Sequence, residues 1–436
     1  MMISRVEALY YRSLRYVAQD VRAFQVLVGP NASGKSTFLD VIALLGDFVR
    51  YGLDRALLFG TESGRGRASR FEELVFNQQH DYVELALEFA VPAALRQPVG
   101  EHGSSTMYDR ARYEVVFGLA DTGEVHIRAE TLWLIEHARH PASIIATDRH
   151  PEPDLFPRER TPPASLMTTG KIPAGWQTVV RKVADGGNDY YQAEGGTWNI
   201  VYRIGPRRAA LAGLPEDAVR FPITLWIRNL LLEGVRVLAL NSVAMRRPAS
   251  PSLSRSFSVD GANLPLVIQD LQRNHPQAYA DWVAHLKTIL PDLTSVSVRE
   301  RPEDRHLYLA VSYASTAEPV PSWLVSDGTL RLLALTLLAY LPQQEGIYLI
   351  EEPENGIHPK ALEGVYQSLS SVYSSQILVA THSPLFLGLA EPAQLLCFAR
   401  NPSGAVAIVT GDHHPALQNW QGEVDLSTMY AAGVLG

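Results

Sequence analysis

The segment FQVLVGPNASGKSTFLDVIALLG, residues 24 to 46, constrains the fold more than any other stretch of the chain. Phe24 to Val28 reads as a buried strand, Gly29 to Gly34 as a tight loop, and Ser36 onward as a helix with Phe38, Leu39, Ile42 and Leu45 on one side. Residues 29 to 37, GPNASGKST, match G-x-x-x-x-G-K-[ST]. Such a loop curves its backbone amides around an oxyanion at the positive end of the helix that follows. Gly29, Pro30, Asn31, Ala32, Ser33, Gly34, Lys35, Ser36 and Thr37 are therefore the expected phosphate-binding residues. Lys35 is expected to reach the outer phosphates and Ser36 to coordinate magnesium, so ATP and Mg2+ are the expected cofactors. A glycine loop of purely structural use is the alternative, and the flanking strand and helix weigh against it.

A matching acidic site is sought further along the chain. GIYLI, residues 346 to 350, reads as a short core strand, and it runs directly into Glu351 and Glu352. Successive positions at a strand end point in different directions, so the two carboxylates need not share a task. Glu351 is assigned to the magnesium shell and Glu352 to orienting and activating the attacking water; a solvated acidic turn is the bland reading. QILVA, residues 376 to 380, reads as another strand, and His382 follows it, placed to approach the terminal phosphate or else to serve as a structural histidine. In an α/β fold ligands gather beyond the carboxyl ends of parallel strands, which is where both polar runs fall. The expected catalytic set is Glu352, His382 and Lys35, with Ser36 and Glu351 as metal ligands.

Between these ends the chain changes character. Strands are expected at Tyr82 to Ala90, Arg112 to Leu119 and Glu124 to Glu130, and Val6 to Tyr11 with a turn at Arg12 to Arg15 reads as an edge hairpin. The proline-rich stretch from 141 to 175 reads as a long loop or insertion, because proline removes ladder donors. A mostly helical segment is expected from Leu264 to Leu290, then strands at Thr294 to Arg299 and His306 to Tyr313. A buried helix is expected over 328 to 340 and another from Pro359 to Tyr373. The expected organisation is an N-terminal lobe with the phosphate loop over 1–70, an inserted strand-rich and helical region over 71–320, and a second lobe over 321–436.

Composition narrows the class. The chain has 436 residues, 46% apolar and 19% charged, which suits a globular protein rather than a coiled-coil rod or a charge-driven disordered chain. A net charge of -8 argues against nonspecific nucleic-acid binding as the dominant property. The single cysteine, Cys397, excludes an internal disulfide and a thiolate cluster. The N-terminus lacks a signal-peptide pattern, and the longest strongly apolar run, Leu330 to Leu341, is too short to span a bilayer, so a cytoplasmic protein without direct membrane insertion is expected.

Four ordered elements, GPNASGKST at 29 to 37, LVSDGTLRLL at 324 to 333, IYLIEEPENGIHP at 347 to 359 and THSP at 381 to 384, resemble the ABC-type ATPases of the SMC/RecF-like class. Within that class they are similar to the AAA_21 and overcoming-lysogenization-defect-like family. The resemblance implies an α/β fold, a P-loop NTPase head with a mixed β-sheet core and a large α+β insertion. It implies that Ser326, Asp327 and Gly328 form a signature loop that meets nucleotide held by another copy of the chain; by themselves these residues equally describe an N-cap before an apolar helix. Asn355, Gly356 and His358 resemble the turn through which two ATP sites communicate, and Gln78 or Gln79 is the candidate for the family's glutamine loop. Glu351 stands where the broader class commonly has Asp, which keeps the charge on a longer arm.

The function this implies is ATP binding and hydrolysis driving head engagement, as a dimer, in a DNA-associated, repair or anti-phage defence complex. Residues 385 to 436 are too few for a fused Toprim nuclease, so a separate nuclease or Toprim-like effector is the expected partner. DNA or RNA across the closed heads is a further expected partner, with Arg65, Arg67, Arg70, Arg181, Lys182, Arg207, Arg208, Arg246 and Arg247 as positive patches or as ordinary solvated surface. The alternatives are a nucleotide-switched nucleic-acid-binding or scaffold protein with little turnover, and a transporter ATPase subunit.

Overall fold

The computed structural model describes residues 2–60, 66–96, 107–136, 160–183, 187–196, 198–342, 345–418 and 426–431. Among them the strands in the first part of the chain are β1 (Ile3–Tyr11), β2 (Leu14–Asp20), β3 (Phe24–Val28), β4 (Tyr82–Ala90), β5 (Tyr108–Leu119), β6 (Val125–Glu136), β7 (Trp176–Lys182), β8 (Asp189–Gln192) and β9 (Asn199–Tyr202). The later strands are β10 (Val235–Leu238), β11 (Leu293–Glu300), β12 (Leu307–Tyr313), β13 (Val320–Pro321), β14 (Ile347–Glu351), β15 (Gln376–Ala380), β16 (Leu395–Arg400) and β17 (Val406–Thr410). The mixed α/β architecture expected from the sequence is the one observed.

Every residue of β3 and β15 is buried, and β3 lies inside a six-stranded sheet of order β10-β14-β15-β3-β16-β17. All of its pairs are parallel except β16 with the edge strand β17. Because side chains alternate across a strand, the sheet feeds two cores. Leu27, Leu349, Leu378, Leu396 and Phe398 face the helix Lys35–Tyr51, meeting its Phe38, Ile42 and Leu45. Val26, Val28, Tyr348, Ile350, Val379 and Cys397 face the other way, onto the helices Leu264–Asn274, Asp327–Leu337 and Leu362–Ser370. Each such aliphatic side chain contributes roughly 1.5–3 kcal/mol by leaving water. Burial on both faces explains why these strands read as continuous apolar runs.

Beyond the helix Lys35–Tyr51 lies an antiparallel eight-stranded sheet, β2-β1-β4-β5-β6-β7-β8-β9. The expected edge hairpin is β1 with β2, and the expected strands at 82 to 90, 112 to 119 and 124 to 130 correspond to β4, β5 and β6. This sheet carries charge in mid-strand. Arg112 on β5 is held by Glu114 at 2.7 Å, Glu7 at 2.7 Å and Glu88 at 3.0 Å, and Arg5 binds Glu7 at 2.5 Å and Asp20 at 2.6 Å. Glu114 also accepts from the Trp133 indole and from Thr168 N, both at 3.0 Å, while Glu84 accepts from Ser165 Oγ at 2.8 Å. The part of the proline-rich stretch that is described, from 160 on, has no helix or strand before Trp176 and is tied to the sheet through those carboxylates; 141 to 159 lie outside the described residues.

The two sheets are joined by a buried amide. Gln376, at the start of β15, is fully buried; its Nε2 donates to Ile3 O and Arg22 O, both at 2.8 Å, and its Oε1 accepts from Ile3 N at 2.8 Å and Met2 N at 3.2 Å. All four hydrogen-bonding places of the side chain are filled.

The helical stretch expected from 264 to 290 is two helices, Leu264–Asn274 and Pro276–Ile289, packed beside a small sheet of β11, β12 and β13. Sequence reading passes over β10, β16, β17 and the helix Pro222–Asn229. These elements are short and flanked by no motif, so local periodicity has too few residues to reveal them. Among the described residues no helix is long and apolar enough to cross a membrane.

Candidate functional site

The parallel register sets the site. Leu27 pairs with Ala380 and Ala380 with Glu351, so β3, β15 and β14 end at one level. The loop after β3, the carboxylates after β14 and the histidine after β15 therefore leave the sheet at the same edge. Together they line a cavity of about 420 Å³, formed by residues 31 to 37, Glu351, Glu352 and His382, with Ser13, Ala380 and Arg400.

The phosphate loop is shaped by its backbone. Gly34 has φ +102°, a left-handed conformation, and a Cβ there would lie 2.5 Å from Val406 Cγ2, so no larger residue fits without displacement. Ala32 is also left-handed at φ +61°. Ser33 and Lys35 are buried, whereas Pro30, Asn31, Ala32 and Ser36 are exposed. Lys35 Nζ donates to Gly29 O at 2.7 Å and Pro30 O at 2.9 Å. Burial pushes the Lys35 ammonium down to about 8, against the opposing pull of Glu351 and Glu352. Thr37 Oγ1 is 3.4 Å from Ser13 Oγ, which brings the tip of the β1–β2 hairpin to the loop.

Ser36 Oγ donates to Glu351 Oε2 at 2.7 Å, across 315 positions of sequence. The strand end and the helix start thus present one hydroxyl and one carboxylate side by side. Among the described residues no group of three or more His, Cys, Asp or Glu is placed to hold a metal ion. A single carboxylate with a hydroxyl fits magnesium, which keeps several waters and takes its other ligands from substrate phosphates.

Glu352 sits at φ +47°, a left-handed conformation for a residue with a Cβ, and its N donates to Ala380 O at 2.8 Å. That turn separates Glu352 from Glu351, and strain of this kind at a strand end is a feature of functional sites. Asn355 Nδ2 donates to Glu352 Oε2. Glu354 Oε1 accepts from Thr381 Oγ1 at 2.8 Å and His382 N at 3.0 Å, which fixes the backbone of the histidine. His382 Nδ1 lies 3.2 Å from Tyr430 Oη. Burial, and then the Lys35 charge, hold the imidazole below its ordinary value, while Glu352 and Glu354 pull the other way. Ser383 Oγ accepts from Phe386 N at 3.3 Å and caps the following helix, so the two neighbouring residues of THSP divide between site and scaffold.

Ser326, Asp327 and Gly328 do not line this cavity. Ser326 is the N-cap of the helix Asp327–Leu337, its Oγ accepting from Thr329 N at 3.2 Å, and Asp327 pairs with Arg246 at 2.5 Å. A Cβ on Gly328 would meet Gly356 O at 2.2 Å, so the start of this helix lies directly against the turn after β14. That turn touches the loop through Gly356 and the site through Asn355. His358 Nδ1 accepts from Lys360 N at 3.2 Å and caps the next turn.

Gln78 and Gln79 are both exposed in a turn after Phe76, and neither lines the cavity. Two of the expected surface cations are corrected by the structure. Arg67 is largely buried between Asp40 at 2.7 Å and Asp47 at 2.8 Å, and Lys182 is buried against Asp189 at 2.6 Å, so their charge is neutralised inside the protein. Arg207 pairs with Asp54 and Glu124, both at 3.2 Å, Arg246 with Asp327, and Arg65 lies outside the described residues. Arg70, Arg181, Arg208 and Arg247 are exposed. Ser13, Arg400 and Tyr430 lie outside the motifs and reach the site through packing alone, and Glu354, although inside the motif at 347 to 359, carried no assigned role in the sequence.

The family model described as "AAA domain, putative AbiEii toxin, Type IV TA system" matches residues 24–166 and 268–388. No curated protein matches the sequence. Among solved structures the chain is similar to an Smc head bound to the C-winged helix domain of ScpA, with a TM-score of 0.50 at 14% identity over 93% of this chain and 97% of that one. It is also similar to an Smc head domain with an extended coiled coil bound to the C-terminal domain of ScpA derived from Pyrococcus furiosus, with a TM-score of 0.46 at 13% identity over 93% and 95%. At such identity the first likeness establishes the fold alone.

Proposed function

We propose, since this chain belongs to the AAA_21 family of AAA domains, that it is a Mg2+-dependent ATPase whose cycle closes two copies over shared nucleotide. The observation that carries the reading is the 2.7 Å contact of Ser36 with Glu351 in the same cavity as Lys35, Glu352 and His382. Lys35 would exchange the carbonyls of Gly29 and Pro30 for the outer phosphates. Glu352, held by Asn355, would orient the attacking water, and His382 would meet the terminal phosphate. Ser36 and Glu351 would hold magnesium, which when bound neutralises charge on the phosphate oxygens.

Ser326, Asp327 and Gly328 are outside their own chain's cavity, at the positive end of a helix. A second copy could bring them to it, and the contact of Gly328 with Gly356 would connect that event to Asn355 and Glu352. ATP would then select the closed assembly and hydrolysis release it. The four ordered motifs favour the overcoming-lysogenization-defect-like branch of the SMC/RecF-like class. The family's description as a toxin of a Type IV system favours a defence setting with an effector on another polypeptide over repair.

ATP turnover by the wild type and Glu352→Gln, with light scattering with and without ATP on the same samples, tests this. Turnover should fall by about 10²–10⁴ in the variant, the range for loss of a general base, with ATP-dependent association kept or increased. Turnover by neither protein and no change in mass, with folding intact, would refute an autonomous ATPase.

A further inference from the structure

Tyr430 lies on the helix Leu426–Ala431, which packs against the helix Pro384–Gly388 behind the histidine. Its hydroxyl touches two parts of the nucleotide site: Gly29 O at 3.1 Å, the first residue of the phosphate loop, and His382 Nδ1 at 3.2 Å. A phenol has one proton to donate, and a carbonyl oxygen only accepts. The proton of Tyr430 therefore goes to Gly29 O, and its oxygen must accept from His382 Nδ1–H. Burial raises the Tyr430 phenol above its ordinary value, so it keeps that proton across the working range.

This accounting fixes the imidazole. A neutral His382 with its proton on Nδ1 has a bare lone pair on Nε2, the ring nitrogen left to meet a ligand in the cavity. Phosphate oxygens are acceptors as well, and two lone pairs facing one another repel. The ring can serve a terminal phosphate only by taking a second proton on Nε2.

We propose that Tyr430 is a positioning residue that holds His382 in the Nδ1–H form, so that binding of a nucleoside triphosphate is coupled to uptake of a proton from solvent at His382 Nε2. The inference rests on the nucleotide reading given above and adds to it a proton that a diphosphate does not require. The groups facing the ring are Lys35 from the helix after the phosphate loop, Glu352 and Glu354 from the end of β14 and its turn, and Tyr430 from the C-terminal helix; Arg400 at the end of β16 lines the same cavity. In the free site burial and Lys35 keep the imidazole neutral. Arriving phosphate offsets the Lys35 charge and rewards the protonated ring.

The sign follows from linkage. The bound state holds one proton more than the free state, so affinity for the triphosphate strengthens as pH falls between the two imidazole values, by up to about tenfold per pH unit. Lys35 is present in wild type and His382→Gln alike, so the difference between those two proteins isolates the proton at His382.

The test is calorimetry of the full chain with ATP and with ADP, in excess Mg2+ between pH 6 and 7.5, in buffers of different ionisation enthalpy. Wild type should take up about one proton more with ATP than with ADP. Tyr430→Phe keeps the ring in place and frees His382 to carry its proton on Nε2, so the excess should disappear and the affinity for ATP should become flat with pH. His382→Gln, which presents an amide N–H, should also show no excess. The ligand's own titration is common to all three proteins and cancels. ATP binding with no excess in the wild type, or the same excess in Tyr430→Phe, would overturn the inference and leave the nucleotide site standing. Failure of the wild type to bind ATP would overturn both. If Tyr430→Phe melts early, the comparison of wild type with His382→Gln decides: an equal excess in both would overturn the inference.

Discussion

The two large sheets handle polar side chains in opposite ways. In the parallel sheet Glu351, Glu352 and His382 stand at strand ends, where the backbone opens onto a cavity and the strands themselves are apolar. In the antiparallel sheet Glu7, Glu88 and Glu114 stand within the strands around Arg112, and Arg5 adds a second cation to Glu7. Groups of the first kind leave open a place for a ligand, whereas groups of the second kind have protein partners already. The difference teaches that charge marks a site only where its partner is left open, since a buried charge is held by compensation.

The comparison breaks first at Arg112. Arg112→Ala leaves the buried Glu114 without a cation and Glu7 with Arg5 alone, and should cost about 3–5 kcal/mol in denaturant unfolding, the range for removing one member of a buried set. Glu352→Gln, by contrast, should leave the unfolding midpoint unchanged while lowering turnover by about 10²–10⁴. Equal stability losses in the two variants would erase the distinction between the sheets.

The joint between the sheets comes next. Gln376→Leu leaves Met2 N, Ile3 N, Ile3 O and Arg22 O without their side-chain partner, and should destabilise by roughly 2–3 kcal/mol. A loss below measurement would show that water replaces the amide and that the sheets are held by apolar contact alone.

The smallest effect is a pH slope. Glu194 is buried and caps the start of the helix Pro222–Asn229, accepting from Thr224 N at 2.7 Å; burial foremost raises its carboxyl to about 7. The folded state then binds a proton that the unfolded chain has already released, so this group's contribution is fully present below the ordinary carboxylate value and is lost as pH rises towards 7. Glu7 runs the other way: its carboxyl is lowered by Arg112 and Arg5 against burial, and its contribution is lost only as pH falls below the ordinary range. Glu194→Gln should flatten the decline in melting temperature between about pH 4.5 and 7, and an unchanged slope would assign the decline elsewhere.

Much of the parallel sheet was legible because its signals are local. Residues 24 to 46 carry strand, loop and helix in one continuous stretch, and 347 to 352 carry a strand with its carboxylates. The antiparallel sheet was legible only strand by strand. Tyr82 to Ala90 announces a strand but not that Glu84 will hold Ser165, and Arg67 and Lys182 look no different in sequence from the exposed Arg70 and Arg181.

The sequence by itself determined the phosphate loop, the acidic strand end, the histidine turn and the capped helix after Ser326, because each is written within a few neighbouring residues and follows from backbone geometry and side-chain period. The tertiary structure alone decided that Ser36 meets Glu351, that Gly328 lies against Gly356, and that Tyr430, 401 positions from Gly29, joins the phosphate loop to His382. Contacts of that kind depend on how layers pack and in what register strands align, and no local pattern in the chain records either.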